Sequence, residues 1–110
     1  MSYEVIATQR FRRDIKALVK KYPSLKKEYE ELINNLSENP QLYGTSLGNN
    51  CYKIRVAIAS KGKGKSGGAR VITHIVVKDK IVFLLTMYDK SEKEAISDKE
   101  IQELLNQLDN

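Results

Sequence analysis

The hydrophobic pattern changes period midway along the chain, and that change limits what this chain can fold into. Between Thr8 and Pro40 apolar residues recur at helical spacing, and from Cys51 onward they alternate. Phe11, Ile15, Leu18, Val19 and Tyr22 fall on one stripe, with Arg10, Arg12, Arg13, Lys16, Lys20 and Lys21 mostly off it. Pro23 stops this helix, because it lacks an amide hydrogen and disfavours helical geometry in Tyr22. Ser24 is the expected cap of a second helix with the stripe Leu25, Tyr29, Leu32, Ile33 and Leu36, ended by Asn39-Pro40. So short a link predicts an antiparallel helical hairpin. Ahead of it, Tyr3–Ala7 reads as a first strand and Thr8 as the N-cap. Gln41–Asn50, with Gly44, Gly48, Asn49 and Asn50, reads as a surface connection.

The alternating half predicts three strands. In Cys51–Ser60, Tyr52, Ile54, Val56 and Ile58 share one face, and Lys53, Arg55, Ala57 and Ala59 the other. The larger apolar set should pack under the hairpin, which leaves Lys53 and Arg55 on an open face. In Ala69–Lys78 the same alternation sets Arg70, Ile72 and His74 apart from Val71, Thr73 and Ile75, and Arg70 is expected to join the basic pair. Lys78-Asp79-Lys80 makes a tight turn into Ile81–Tyr88, which is nearly all apolar and so reads as a central strand buried on both sides. Ser97-Asp98-Lys99-Glu100 is a capping box opening a last helix with the stripe Ile101, Leu104, Leu105 and Leu108. The expected class is α+β: an N-terminal strand, a helical hairpin, a mostly antiparallel twisted sheet of about four strands and a C-terminal helix, with helices on one face.

At 110 residues this suits one domain, 1–110, able to bury a modest core without staples. Charged residues at 30% and hydrophobic residues at 41% describe a soluble globule. No stretch has the length of a membrane span and the N-terminus lacks a signal-peptide pattern. With one cysteine and hence no internal disulfide, the expected location is cytoplasmic.

Charge is where the sequence is unusual. Between Cys51 and Lys80 stand Lys53, Arg55, Lys61, Lys63, Lys65, Arg70, Lys78 and Lys80 against the single acid Asp79. Exposed lysines are common on an open sheet face. Three cations from neighbouring strands beside a cationic loop nevertheless repel one another, which costs stability unless an anion binds there. A lysine crowded by like charge also gives up its proton more readily and can act as a base. Gly64-Lys65-Ser66 ends like a phosphate-binding P-loop, but Ala59 stands where the first glycine belongs and a strand follows instead of a helix. The loop reads instead as a solvated cationic arm that closes on a phosphodiester backbone through Lys61, Lys63 and Lys65. Cys51 with the lone His74 makes a poor nucleophile pair, and no cluster of ligands implies a metal or other cofactor. His74 is more often structural, with RNA contact as its functional alternative.

Cys51-Tyr52-Lys53-Ile54-Arg55, Gly68-Ala69-Arg70-Val71-Ile72 and the strand end Leu84-Leu85-Thr86-Met87-Tyr88-Asp89-Lys90 resemble, in that order, the RelE/ParE superfamily of bacterial toxins. The long Lys-Gly-Lys-Ser-Gly-Gly loop is most similar to its HigB-like branch. The likeness spans almost the whole chain and implies the RelE-like microbial ribonuclease fold. It implies a ribosome-dependent messenger-RNA endonuclease of a type II toxin–antitoxin system. Such a toxin inhibits translation without a metal, by attack of a ribose 2′-hydroxyl on the adjacent phosphate. By matching positions, Lys53 and Arg55 take the strand basic pair, Arg70 the phosphate-binding arginine and Lys90 the basic residue after the last strand. A tyrosine expected further on is absent, with Ile96 and Ser97 near that place, and Tyr88 is its substitute. The loop between Arg55 and Arg70 is longer than in compact members. The implied partners are a cognate antitoxin with a DNA-binding domain, messenger RNA and the ribosomal A site, with no membrane. Two readings stay beside this one: a ParE-like inhibitor of DNA gyrase without nuclease activity, and a non-catalytic RNA-binding module.

Overall fold

The structure, a computed structural model, describes residues 2–61 and 67–109. The elements run β1 (Glu4–Ala7), α1 (Gln9–Lys21), α2 (Leu25–Glu38), β2 (Gly44–Gly48), β3 (Cys51–Val56), β4 (Ala69–Val76), β5 (Ile81–Asp89) and α3 (Asp98–Asn106). The five strands form one sheet in the order β1-β5-β4-β3-β2, parallel only between β1 and β5. Among the described residues, no helix is long and apolar enough to cross a membrane.

Local chemistry accounts for the boundaries. Thr8 caps α1 by accepting from the Phe11 amide at 3.2 Å. Ser97 and Glu100 form both halves of the capping box on α3. Ser24 departs from expectation: its backbone is already helical and its side chain makes no cap hydrogen bond. Its hydroxyl instead meets Ser60 at 2.9 Å, tying the turn between the helices to the short helical turn Ala59–Lys61 that follows β3.

The sheet has one strand more than the sequence reading allowed. Gly44–Gly48 pairs antiparallel with β3, so this stretch is an edge strand and not a surface connection. Asn49 and Asn50, both at positive φ, form the two-residue link between Gly48 and Cys51. Asparagine tolerates that conformation, and a tight hairpin needs it at both positions.

Helices also cover both faces, not one. Phe11, Leu18, Leu25, Leu32 and Leu36 bury against Ile54, Val56, Val71, Val82, Leu84 and Met87. On the other side Ile101 and Leu104 of α3 pack on Cys51, Ile72, Leu85 and Tyr88. The physical reason is the apolar β5, which would leave a wet hydrophobic face if α3 sat elsewhere. Each fully buried Leu or Phe here contributes about 2 kcal/mol.

β5 carries one extra residue. Ile72 pairs with Thr86 and Thr73 with Leu84, which leaves Leu85 without a partner on β4. Before this bulge Val82 and Leu84 face the hairpin; after it Met87 does, and Tyr88 turns to the α3 side. At the other end of β4, Gly68 passes so close to β3 that a Cβ would lie 2.0 Å from the Val56 carbonyl oxygen. Gly68→Ala should therefore force strand β3 and the start of β4 apart and destabilise the protein by about 3 kcal/mol. Urea unfolding of the two proteins checks this, and equal midpoints would refute it.

Candidate active site

Register brings the predicted cations together. Arg55 lies directly opposite Arg70, and Arg70 lies opposite Tyr88, so the three form a row across β3, β4 and β5. Two interstrand spacings make that row ~10 Å long. Lys53, two residues before Arg55, shares its face and is half-buried, while Arg55 is exposed. The face is thus open only in part: α3 covers the Ile72–Leu85 portion and Tyr88 with it, and Arg55 is the member of the row left exposed.

Arg70 is the unusual member. It is only 3% exposed and faces another arginine, although like charges directly opposite one another are destabilising. Its Nη1 donates to its neighbour's carbonyl, that of Ala69, at 3.1 Å. Burial and then the Arg55 charge lower its pKa, against an opposing influence from Tyr88. Tyr88 is 9% exposed and its hydroxyl has no hydrogen-bond partner among the described residues. Burial raises its pKa, Arg70 opposes that rise and Glu100 adds to it. The phenol therefore keeps its proton at neutral pH and is a donor there. Lys93, ion-paired with Glu100, stands 5.7 Å from the centre of the Tyr88 ring.

The other predicted residues divide. Lys90 follows directly on β5, half-buried, with its amide donating to the Gly68 carbonyl at 3.1 Å. Lys61 is not brought to the row: its ammonium donates to Asp89 at 2.8 Å. Lys63 and Lys65 lie outside the described residues. His74 sits four residues along β4 from Arg70, opposite Cys51, in a shallow hollow with Asn49, Asn50, Gln102 and Asn106. Its Nδ1 is 3.6 Å from the Cys51 sulfur. Burial pushes the Cys51 thiol up to about 11, so the pair holds a thiol and not a nucleophilic thiolate. Among the described residues, no three His, Cys, Asp or Glu side chains gather where a metal ion could be held.

Sequence reasoning missed Asp89. This carboxylate, 2% exposed, accepts from Lys61, from the Tyr22 hydroxyl at 2.9 Å, and from the Ser91 amide and hydroxyl at 3.0 and 2.8 Å. It lies beside Tyr88 and fastens the root of the lysine loop to the end of β5. The available signal was a lone acid closing an apolar strand, which a buried carboxylate can occupy only if fully hydrogen-bonded.

The sequence model described as "RelE toxin of RelE / RelB toxin-antitoxin system" matches residues 5–108. The chain belongs to this RelE toxin family. Solved structures agree on the fold. A free arginine-substituted mutant of the Escherichia coli toxin RelE is 16% identical, with a TM-score of 0.63 over 97% of this chain and 98% of that one. The toxin–antitoxin complex RelBE2 of Mycobacterium tuberculosis matches at 20% identity and a TM-score of 0.61, over 81% of this chain and 99% of that one. A conserved hypothetical protein of Helicobacter pylori matches at 19% and 0.53, over 82% and 97%.

Burial raises the Asp89 pKa, but the bonds from Lys61, Ser91 and Tyr22 outweigh it and hold the carboxyl well below the usual range. A depressed folded pKa means that the contribution is complete above the unfolded value near 3.8 and is lost as pH falls below it. Asp89→Asn should therefore cost about 3 kcal/mol at pH 7, as for a buried pair that has lost one partner. That gap to wild type should narrow from pH 4 downward. Urea midpoints at pH 7 and at pH 3 measure it, and a gap that widens in acid would be the wrong sign.

Proposed function

We propose that this protein is a ribosome-dependent messenger-RNA endonuclease. Its chemistry is attack of a ribose 2′-hydroxyl on the adjacent phosphate, with charge neutralised by guanidinium and ammonium groups. The observation that carries this reading is the buried Arg70 between Arg55 and the unpartnered Tyr88 hydroxyl. Two arginines and a protonated phenol set in one row offer several donors to an anion, and a phosphodiester is one of the right scale.

Each side chain then has a role. Arg70, with Arg55, donates to the non-bridging oxygens, which gain charge as the five-coordinate phosphorane forms. Lys53, as an ammonium, stabilises the developing 2′-oxyanion while its proton passes to solvent and the new phosphorus–oxygen bond forms. The bond to the 5′-oxygen breaks, and Tyr88, which holds its proton at neutral pH, gives that oxygen a proton. Lys90 contacts the backbone one step along. Binding of the message on the ribosome holds the attacking oxygen in line with the leaving one, which free RNA rarely achieves. The 2′-hydroxyl requirement restricts cleavage to RNA. The antitoxin of the RelBE2 complex suggests a cognate antitoxin here, with acidic segments that cover the row. The longer stretch between Arg55 and Arg70 suits the HigB-like branch.

Arg70→Ala should lower cleavage at least about a hundredfold, the effect of losing one transition-state cation, while leaving the fold intact. Primer extension on translated messages after brief expression reads this directly. Folded Arg70→Ala and Lys53→Ala proteins that both cut at the wild-type rate would remove the site from consideration. Intact message with accumulated broken DNA would favour a gyrase inhibitor instead.

A further inference from the structure

Tyr88 reaches the cationic row only because of the bulge. In an unbroken strand, alternation from Val82 and Leu84 would send residue 88 toward the helical hairpin. The extra residue Leu85 reverses that parity and sets Tyr88 opposite Arg70. A bulge of this kind leaves strand groups unpaired, and they need partners from elsewhere.

Those partners come from α1. Among the described residues β1 pairs with β5 only from Ile81 to Leu84, and none of them forms a strand beside that β5 edge beyond Leu84. Thr8, just past β1, donates from Oγ1 to the Leu84 carbonyl at 2.8 Å and to the Leu85 carbonyl at 3.3 Å. Six residues on, Asp14 Oδ2 accepts from the Thr86 hydroxyl at 2.5 Å and from the Met87 amide at 3.4 Å. Arg10 holds that carboxylate in place through Nε at 3.2 Å. The N-cap Thr8 and Asp14 of α1 thus stand in for a neighbouring strand where the bulge occurs.

We infer that Asp14, acting through Thr86 and the Leu85 bulge, is a positioning residue that keeps Tyr88 on the Arg70 side of the sheet. It touches no substrate in this arrangement; it selects which face Tyr88 occupies. The inference deepens the nuclease reading, and its contribution to cleavage rests on that reading, but the geometry is testable apart from it.

The test uses the full-length protein with Asp14→Ala, Asp14→Asn and Thr86→Val. Nuclear Overhauser contacts between the Tyr88 ring and the Ile101 methyls report the face that Tyr88 occupies. They should weaken severalfold in Asp14→Ala and Thr86→Val and persist in Asp14→Asn, which keeps an acceptor oxygen. Cleavage should fall at least about tenfold in Asp14→Ala, yet less than about twofold when the change is made on a Tyr88→Phe background, since a residue acting through another loses its effect when that one is gone. Unchanged ring contacts in folded Asp14→Ala, or equal losses on both backgrounds, would overturn the assignment. If Asp14→Ala does not fold, Thr86→Val decides by the same contacts. If Tyr88→Phe alone cleaves like wild type, the role given to Tyr88 in cleavage fails, while the ring contacts still decide what Asp14 does.

Discussion

A strand has only two faces, and its side chains alternate between them without exception unless a residue is inserted. Much of this site depends on one insertion, Leu85 in β5. On one side of the sheet it gives Tyr88 to Arg70. On the other it gives Asp89 to Tyr22 and Lys61. A regular strand would place the phenol in the helical core and the carboxylate in the cationic row, where it would neutralise the charge that makes the row useful. The parity of one strand therefore separates the acid from the arginines.

That separation explains how a like-charged pair is tolerated. Arg55 and Arg70 repel, and Arg70 is also desolvated. The surrounding sheet holds them in register through backbone pairs on both sides, so the repulsion is held in place and not relieved by movement. The cost falls on stability, and the buried Asp89 cluster and the two apolar layers offset it.

Much of this was legible in the sequence, for physical reasons. Helical stripes and the capping box are local signals, and both survive in the structure. The basic face was legible because alternation is local too: Lys53 and Arg55 share a parity wherever β3 lies. Three features were not read. β2 is short and glycine-rich, and its one sign was the Asn49-Asn50 pair, which suits a tight hairpin. The helix on the second face followed from Ile81–Tyr88 being apolar on both sides, a clue that was present but not carried to α3. The bulge is different in kind. It is maintained by Thr8 and Asp14, more than seventy positions away in sequence, and no local pattern announces it. For the same reason the ion pair of Lys61 was not read, because its partner Asp89 is distant along the chain.

The two flanks of the lysine-rich stretch are fastened to the same short segment. Lys61 is held by Asp89, and Gly68 accepts from the amide of Lys90. The crossing from β3 to β4 is thus closed by anchors that do not depend on how many residues lie between them. Insertions and deletions in that interval are consequently among the cheapest changes open to this scaffold. The interval can vary in length and charge while both anchors stay in place.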